Sequence, residues 1–126
     1  MPQCRIETRD HWLNGRQNEL FEAIQAAMVD TIKILPDDRC FRLTTYDAAH
    51  FPTPPGKTDR CMVIEIALVA GRSLDAKRAM YAAIGRNIQT LFGIEPSDLR
   101  IVLEEVALDN WGIDGRPASE LKLNYK

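Results

Sequence analysis

A proline directly behind Met1, an aspartate in LPDDRCF and an arginine in AGRSLDAK are the residues of this sequence best suited to moving a proton or holding a carboxylate. Removal of Met1 would leave Pro2 as a secondary amine. A free α-amine titrates near ~8, and an apolar pocket favours its neutral form, giving a base without histidine for an acidic proton next to a carbonyl. Pro2 also reads as an ordinary residue ahead of a first strand. Arg72 follows a strand pattern and precedes a helix start. Guanidinium, Ser73 and free backbone N–H groups meet there in an arrangement suited to a carboxylate. The plainer reading is a surface arginine in a strand-to-helix loop. Asp38 falls in a helix-to-strand turn, where aspartate is favoured by local hydrogen bonding. Catalysis is its other reading, because it shares a half of the chain with Pro2.

Aromatic residues offer walls for such a site. Trp111, in NWGIDGRP, reads first as interface packing and second as the side of a pocket. Tyr46, His50 and Phe51 lie in a Pro-rich segment that could cover a pocket. Cys4 and Cys40 fall within strand patterns and read as core thiols rather than nucleophiles. Three cysteines without CxxC or Cys/His spacing exclude a disulfide framework and a zinc site, and two histidines are too few for a histidine metal cluster.

The elements that must position these residues come twice. At an offset of sixty, Ile6 falls on Ile66, Ala23 on Ala83, Ile24 on Ile84, Ile34 on Ile94, Pro36 on Pro96, Asp38 on Asp98 and Leu43 on Leu103. In the first half, residues 3–8 alternate as a strand. Residues 14–35 carry a helical apolar stripe, with Asn14 and Gln17 as a capping box and Pro36 as the stop. Residues 40–45 form a second strand. In the second half, residues 60–70 form a strand, Ser73 caps a helix ended by Gly93, and residues 100–106 form the fourth strand. Two β-α-β units predict an α+β fold: a four-stranded mixed sheet with two helices on one face, followed by a C-terminal tail. The expected organisation is a single domain over 1–126, with repeats at about 1–45 and 60–106 joined by the Pro-rich loop. The tail, residues 109–126, ends in ELKLNY, which alternates like a strand suited to pairing with a neighbouring subunit. Met62, Val63, Ile64 and Ile66 suggest apolar residues on both sheet faces, so self-association is expected to cover the bare one.

The halves differ at the chemistry. Pro2 aligns with Met62, which has no free amine, and Arg72 aligns with Trp12. A site using both would be built once per chain. A net charge of -2 offers nothing to a nucleic-acid backbone or an anionic membrane. The longest apolar run is too short to span a bilayer, and the N-terminus lacks a charged n-region followed by an apolar h-region, so a cytoplasmic protein is expected.

Pro2, PDDR with Asp38, RLTTYDAAHFPTPPG, GRS with Arg72 and NWG with Trp111, in this order, resemble the tautomerase superfamily over essentially the whole chain. More specifically, the chain looks like the longer-chain members related to malonate semialdehyde decarboxylase. The resemblance implies an N-terminal proline acting as general base in keto–enol tautomerisation, or, in decarboxylase and hydrolytic relatives, as a cationic acid. It also implies Asp38 as catalytic, Arg72 as catalytic and carboxylate-binding, and a homotrimer with sheets packed inward. A second carboxylate-binding arginine of the decarboxylase is replaced here by Ala70, which favours tautomerase over decarboxylase. The expected substrate is a small phenylpyruvate-type 2-oxo acid, with Trp111 and Tyr46 as further substrate-binding residues. Relocating a proton requires no metal or organic cofactor. Decarboxylation or hydration of a 3-oxo acid such as malonate semialdehyde, and a non-catalytic trimeric binding module, are the alternatives.

Overall fold

Alternation in QCRIETR buries Cys4, Ile6 and Thr8 and leaves Gln3 and Arg5 exposed, the period of two that makes a half-buried strand. In the computed structural model, which describes residues 2–121, this is β1 (Gln3–Arg9). It leads to α1 (Gln17–Ile32) and β2 (Phe41–Tyr46). The second unit repeats the order with β3 (Met62–Val69), α2 (Leu74–Phe92) and β4 (Leu99–Val106), and a hairpin of β5 (Gly112–Ile113) and β6 (Arg116–Pro117) follows. The sheet order is β2-β1-β3-β4. β1 is parallel to β2 and β3 to β4, while the two units meet antiparallel through β1 and β3, with Gln3 opposite Ala67 and Thr8 opposite Met62.

Both helices lay their apolar stripes on one sheet face. Leu20, Ile24 and Met28 of α1 and Met80, Ile84 and Ile88 of α2 join Ile6, Ile64 and Ile66 in one core, all essentially inaccessible to solvent. Thr8 is the polar exception. Its hydroxyl donates to the Cys61 carbonyl at 2.9 Å and accepts from the Trp12 indole at 3.0 Å, so burial leaves it satisfied.

Several expectations are corrected by local geometry. Helix α1 begins at Gln17, not residue 14: Asn14 and Gly15 are both in the left-handed region, with φ of 52° and 76°, and Arg16 stands at the N-cap without a side-chain cap. At the other end, Lys33 turns left-handed and stops the helix before Pro36 is reached. Ser73 does cap α2, accepting from the Ala76 N–H, and Gly93 closes it in the αL conformation. Cys40 is exposed ahead of β2 rather than buried within it.

The second sheet face is not bare and apolar. Met62, Ile64 and Ile66 share one parity and all point to the helices; the opposite face of β3 shows Val63, Glu65 and Ala67. Arg5 pairs there with Glu65 at 2.9 Å. The described tail folds on its own chain, with the Ala118 N–H donating to the Trp111 carbonyl at 2.8 Å. The ELKLNY strand expectation covers residues 120–125: Glu120 belongs to a short 3-10 turn, and residues 122–125 lie outside the described residues. Among the described residues, no helix is long and apolar enough to cross a membrane.

Candidate active site

Strand order alone gathers much of the site. Because β1 is antiparallel to β3 and parallel to β2, one end of the sheet holds the start of β1, the residues before β2, and the ends of β3 and β4. Pro2, Asp38, Arg72 and Trp111 therefore all lie at this end. An open cleft is lined there by Pro2, Asp38, Cys40, Trp111 and Ile113. Pro2 and Trp111 are buried and Asp38 is half-buried. The Cys4 N–H donates to the Cys40 carbonyl at 2.9 Å, tying the approach to β2 onto β1 beside Pro2.

The aspartate turn is held from beneath by a residue that the sequence reading did not single out. Gln25 is a polar residue in the buried face of α1, only 1% exposed. Its side-chain amide faces the carbonyls of Leu35, Pro36 and Asp38 at 3.2–3.4 Å. One NH₂ group thus gathers the whole turn that carries Asp38, while the Asp38 N–H closes the turn onto the Leu35 carbonyl at 3.0 Å. Its neighbours Ile24 and Met28 are core residues, and a glutamine between them was the available signal.

Trp111 forms the opposite wall. Its ring packs with Val69 and Ala118, and its indole N–H donates to the Val106 carbonyl at 3.2 Å, fixing the ring against the ends of β3 and β4. Arg72 lies one contact further: its guanidinium donates to the Val69 carbonyl at 3.1 Å but does not line the cleft. Its Nε is buried without an acceptor among the described residues, a donor that a carboxylate would satisfy. Burial pulls the Arg72 pKa down and the charge of Glu105 pushes it back up; an arginine keeps its charge under such conditions. Glu105 is held below its ordinary value by a hydrogen bond from Lys77, aided by the Gly71 N–H.

Tyr46 is not brought to this site. It pairs with Arg9 at the far end of β1, about 20 Å from Pro2 at strand rise, and its hydroxyl hydrogen-bonds Glu7, which raises its pKa. His50 is exposed and pairs with Asp47 at 2.6 Å, and Phe51 stacks obliquely on Tyr46 at 5.6 Å. These three belong to the opposite end of the sheet.

A two-fold β-α-β sheet with this order defines a fold shared with solved tautomerase-type structures. Native fused 4-OT superposes with a TM-score of 0.84 at 23% identity, covering 94% of this chain and 98% of that one. Malonate semialdehyde decarboxylase, solved in wild-type, mutant and inactivated forms, superposes with a TM-score of 0.81 at 19% identity over 94% of each chain. The FG41 malonate semialdehyde decarboxylase inhibited by 3-bromopropiolate gives 0.78 at 24% identity over 86% of each. The chain belongs to the family described as "Tautomerase enzyme", whose model matches residues 38–114. The probable tautomerase YusQ of Bacillus subtilis is 24% identical over 116 residues, 88% of this chain and 91% of its own. The probable tautomerase RSp0893 of Ralstonia nicotianae is 28% identical over 60 residues, 48% of this chain and 86% of its own.

Proposed function

We propose that the chain is a keto–enol tautomerase of a small 2-oxo acid, with the neutral amine of Pro2 as general base. The observation that carries this reading is the meeting of Pro2, Asp38 and Trp111 in one cleft. Pro2 abstracts the proton next to the carbonyl and returns it at the other end of the enol. Asp38, on the turn gathered by Gln25, orients the amine, and Trp111 excludes water from the apolar end of the substrate. In this reading Arg72, which stands just outside the cleft, turns from the Val69 carbonyl to bind the substrate carboxylate. Tyr46 has no part in this reading, and the proton transfer needs no cofactor.

The test is ketonisation of phenylenolpyruvate followed by ultraviolet absorbance, after intact mass has verified that Met1 is absent. Replacement Arg72→Ala should raise KM more than it lowers kcat. Likeness to the malonate semialdehyde decarboxylases supports a second reading, in which a protonated Pro2 assists decarboxylation or hydration of a 3-oxo acid. The sign of the pH profile separates them. A neutral base gains rate as pH rises through the amine pKa, whereas a cationic acid loses it.

Solved fused 4-OT structures are described as symmetric and asymmetric trimers. We propose a homotrimer for this chain as well. Light scattering should then report about three times the 14.3 kDa chain mass.

A further inference from the structure

The offset of sixty carries the Pro2 cleft onto a second cavity. Met62, Val63, Asp98 and Arg100 stand where Pro2, Gln3, Asp38 and Cys40 stand, and Phe51 precedes Trp111 by the same interval. All five line one cavity at the opposite end of the sheet. The fold therefore builds the cleft twice, and the copies differ in chemistry rather than in position.

The second cleft has no amine, since Met62 is mid-chain and 1% exposed. Nor is its aspartate directed at a ligand: Asp98 is 6% exposed, and its two oxygens accept from the Thr58 N–H at 2.8 Å and the Thr58 hydroxyl at 2.6 Å. What the second cleft gains is positive charge. Lys57 and Arg100 line it, both are exposed, and neither side chain makes an ion pair or hydrogen bond among the described residues. Ser97 adds a hydroxyl, while Phe51, Pro54 and Leu99 supply apolar walls. Two cations beside an apolar wall select an anion with an apolar body.

We infer that this second cleft is a binding-only site for a small aryl or alkyl carboxylate. Lys57 and Arg100 hold the carboxylate, and the apolar body lies against Phe51 and Leu99. No proton is transferred there, because the cleft lacks the amine and both oxygens of its lining Asp98 are held by Thr58. The site stands whether or not Pro2 turns over substrate.

Phenylacetate, which has no keto group to tautomerise, is the probe. Titrated into the ¹⁵N-labelled full chain, it should shift the amides of residues 57–63 and 97–100 in a saturable way. Charge-assisted contacts of this kind predict that the Lys57→Ala/Arg100→Ala double variant binds at least about tenfold more weakly there. Phenylacetamide should lose a similar factor. Both substituted residues are exposed, so the variant's melting temperature and its shifts around Pro2 and Trp111 should match those of the parent. Shifts confined to the Pro2 cleft, or shifts at residues 57–63 that survive the double substitution, would overturn the inference. Failure of the proposed tautomerase is read separately, from turnover.

Discussion

Positions 25 and 85 occupy the same turn of α1 and α2, yet one is glutamine and the other glycine. In the second half, Pro96 rests directly over Gly85, where an added Cβ would meet the proline ring at 3.8 Å. In the first half, Gln25 fills that space and binds the carbonyls of the Pro36 turn instead. The same contrast recurs at the aspartates. Asp98 faces inward and pins Thr58 of the crossover loop, while Asp38 lines the cleft. At these two positions the second copy turns its residues into support for the fold, while the first turns them toward the candidate cleft. Residues at one repeat position need not share a role.

Paired substitutions test this contrast directly. Under the proposed function, Pro2→Ala should cut turnover by ~10²–10⁴-fold with little change in melting temperature. Met62→Ala, at the matching position, should instead cost about 2–5 kcal/mol of stability and spare the chemistry. Equal loss of activity in both variants would remove the distinction. Next, Asp38→Asn should lower kcat by about 10- to 100-fold through misplacement of the amine. Asp98→Ala should cost ~1–3 kcal/mol in urea unfolding, because the Thr58 donors lose their partner.

Alkaline pH provides a third pair. Burial, reinforced by Cys40, pushes the Cys4 thiol up to about 12, whereas the matching residue is Ile64. A raised acid pKa favours the protonated folded form, so stability is complete below the unfolded thiol value and falls as pH rises towards 12. The fall should approach about 1.4 kcal/mol per pH unit at most, and Cys4→Ile should flatten it in pH-dependent denaturation. A fourth pair returns to the turns: Gln25→Leu should lose ~1 kcal/mol and reduce turnover, while Gly85→Ala should gain up to ~1 kcal/mol of helix stability. The smallest effect concerns the helix ends. Lys33 (φ 60°) and Gly93 (φ 68°) share the αL conformation, so Lys33→Gly should raise stability by up to ~1 kcal/mol and Gly93→Ala should lower it by a similar amount.

The fold was legible because duplication doubles weak signals: Ser73 and Gly93 punctuate α2 clearly, and the repeat carries that punctuation onto a poorly capped α1. The Asn14 cap misled because an Asn-Gly pair serves a left-handed turn as readily as a helix start. The expectation of a bare apolar face ignored parity, since residues 62, 64 and 66 must point the same way. Tyr46 was drawn into the site by its sequence neighbours, whereas strand direction sends it to the far end of the sheet. Gln25 was readable as a polar residue within the apolar stripe of α1, and the Phe51–Trp111 correspondence only by asking what the sixty-residue offset does outside the strands and helices. Asp38, by contrast, could be located in a turn but not distinguished from Asp98, because their difference lies in side-chain partners from distant loops.

The place of β1 within the sheet has a further consequence. Leading segments of a chain ordinarily fray. Residues 4–8 are paired on both sides, with β2 and with β3, so β1 cannot peel away without breaking two ladders. Under the proposed function, a Pro2 amine at the head of this strand has its direction fixed when the protein folds. Little motional freedom is left to lose when a small acid arrives. Association should then show a modest entropy penalty and a rate set by diffusion into the cleft, not by a search among conformations of the chain.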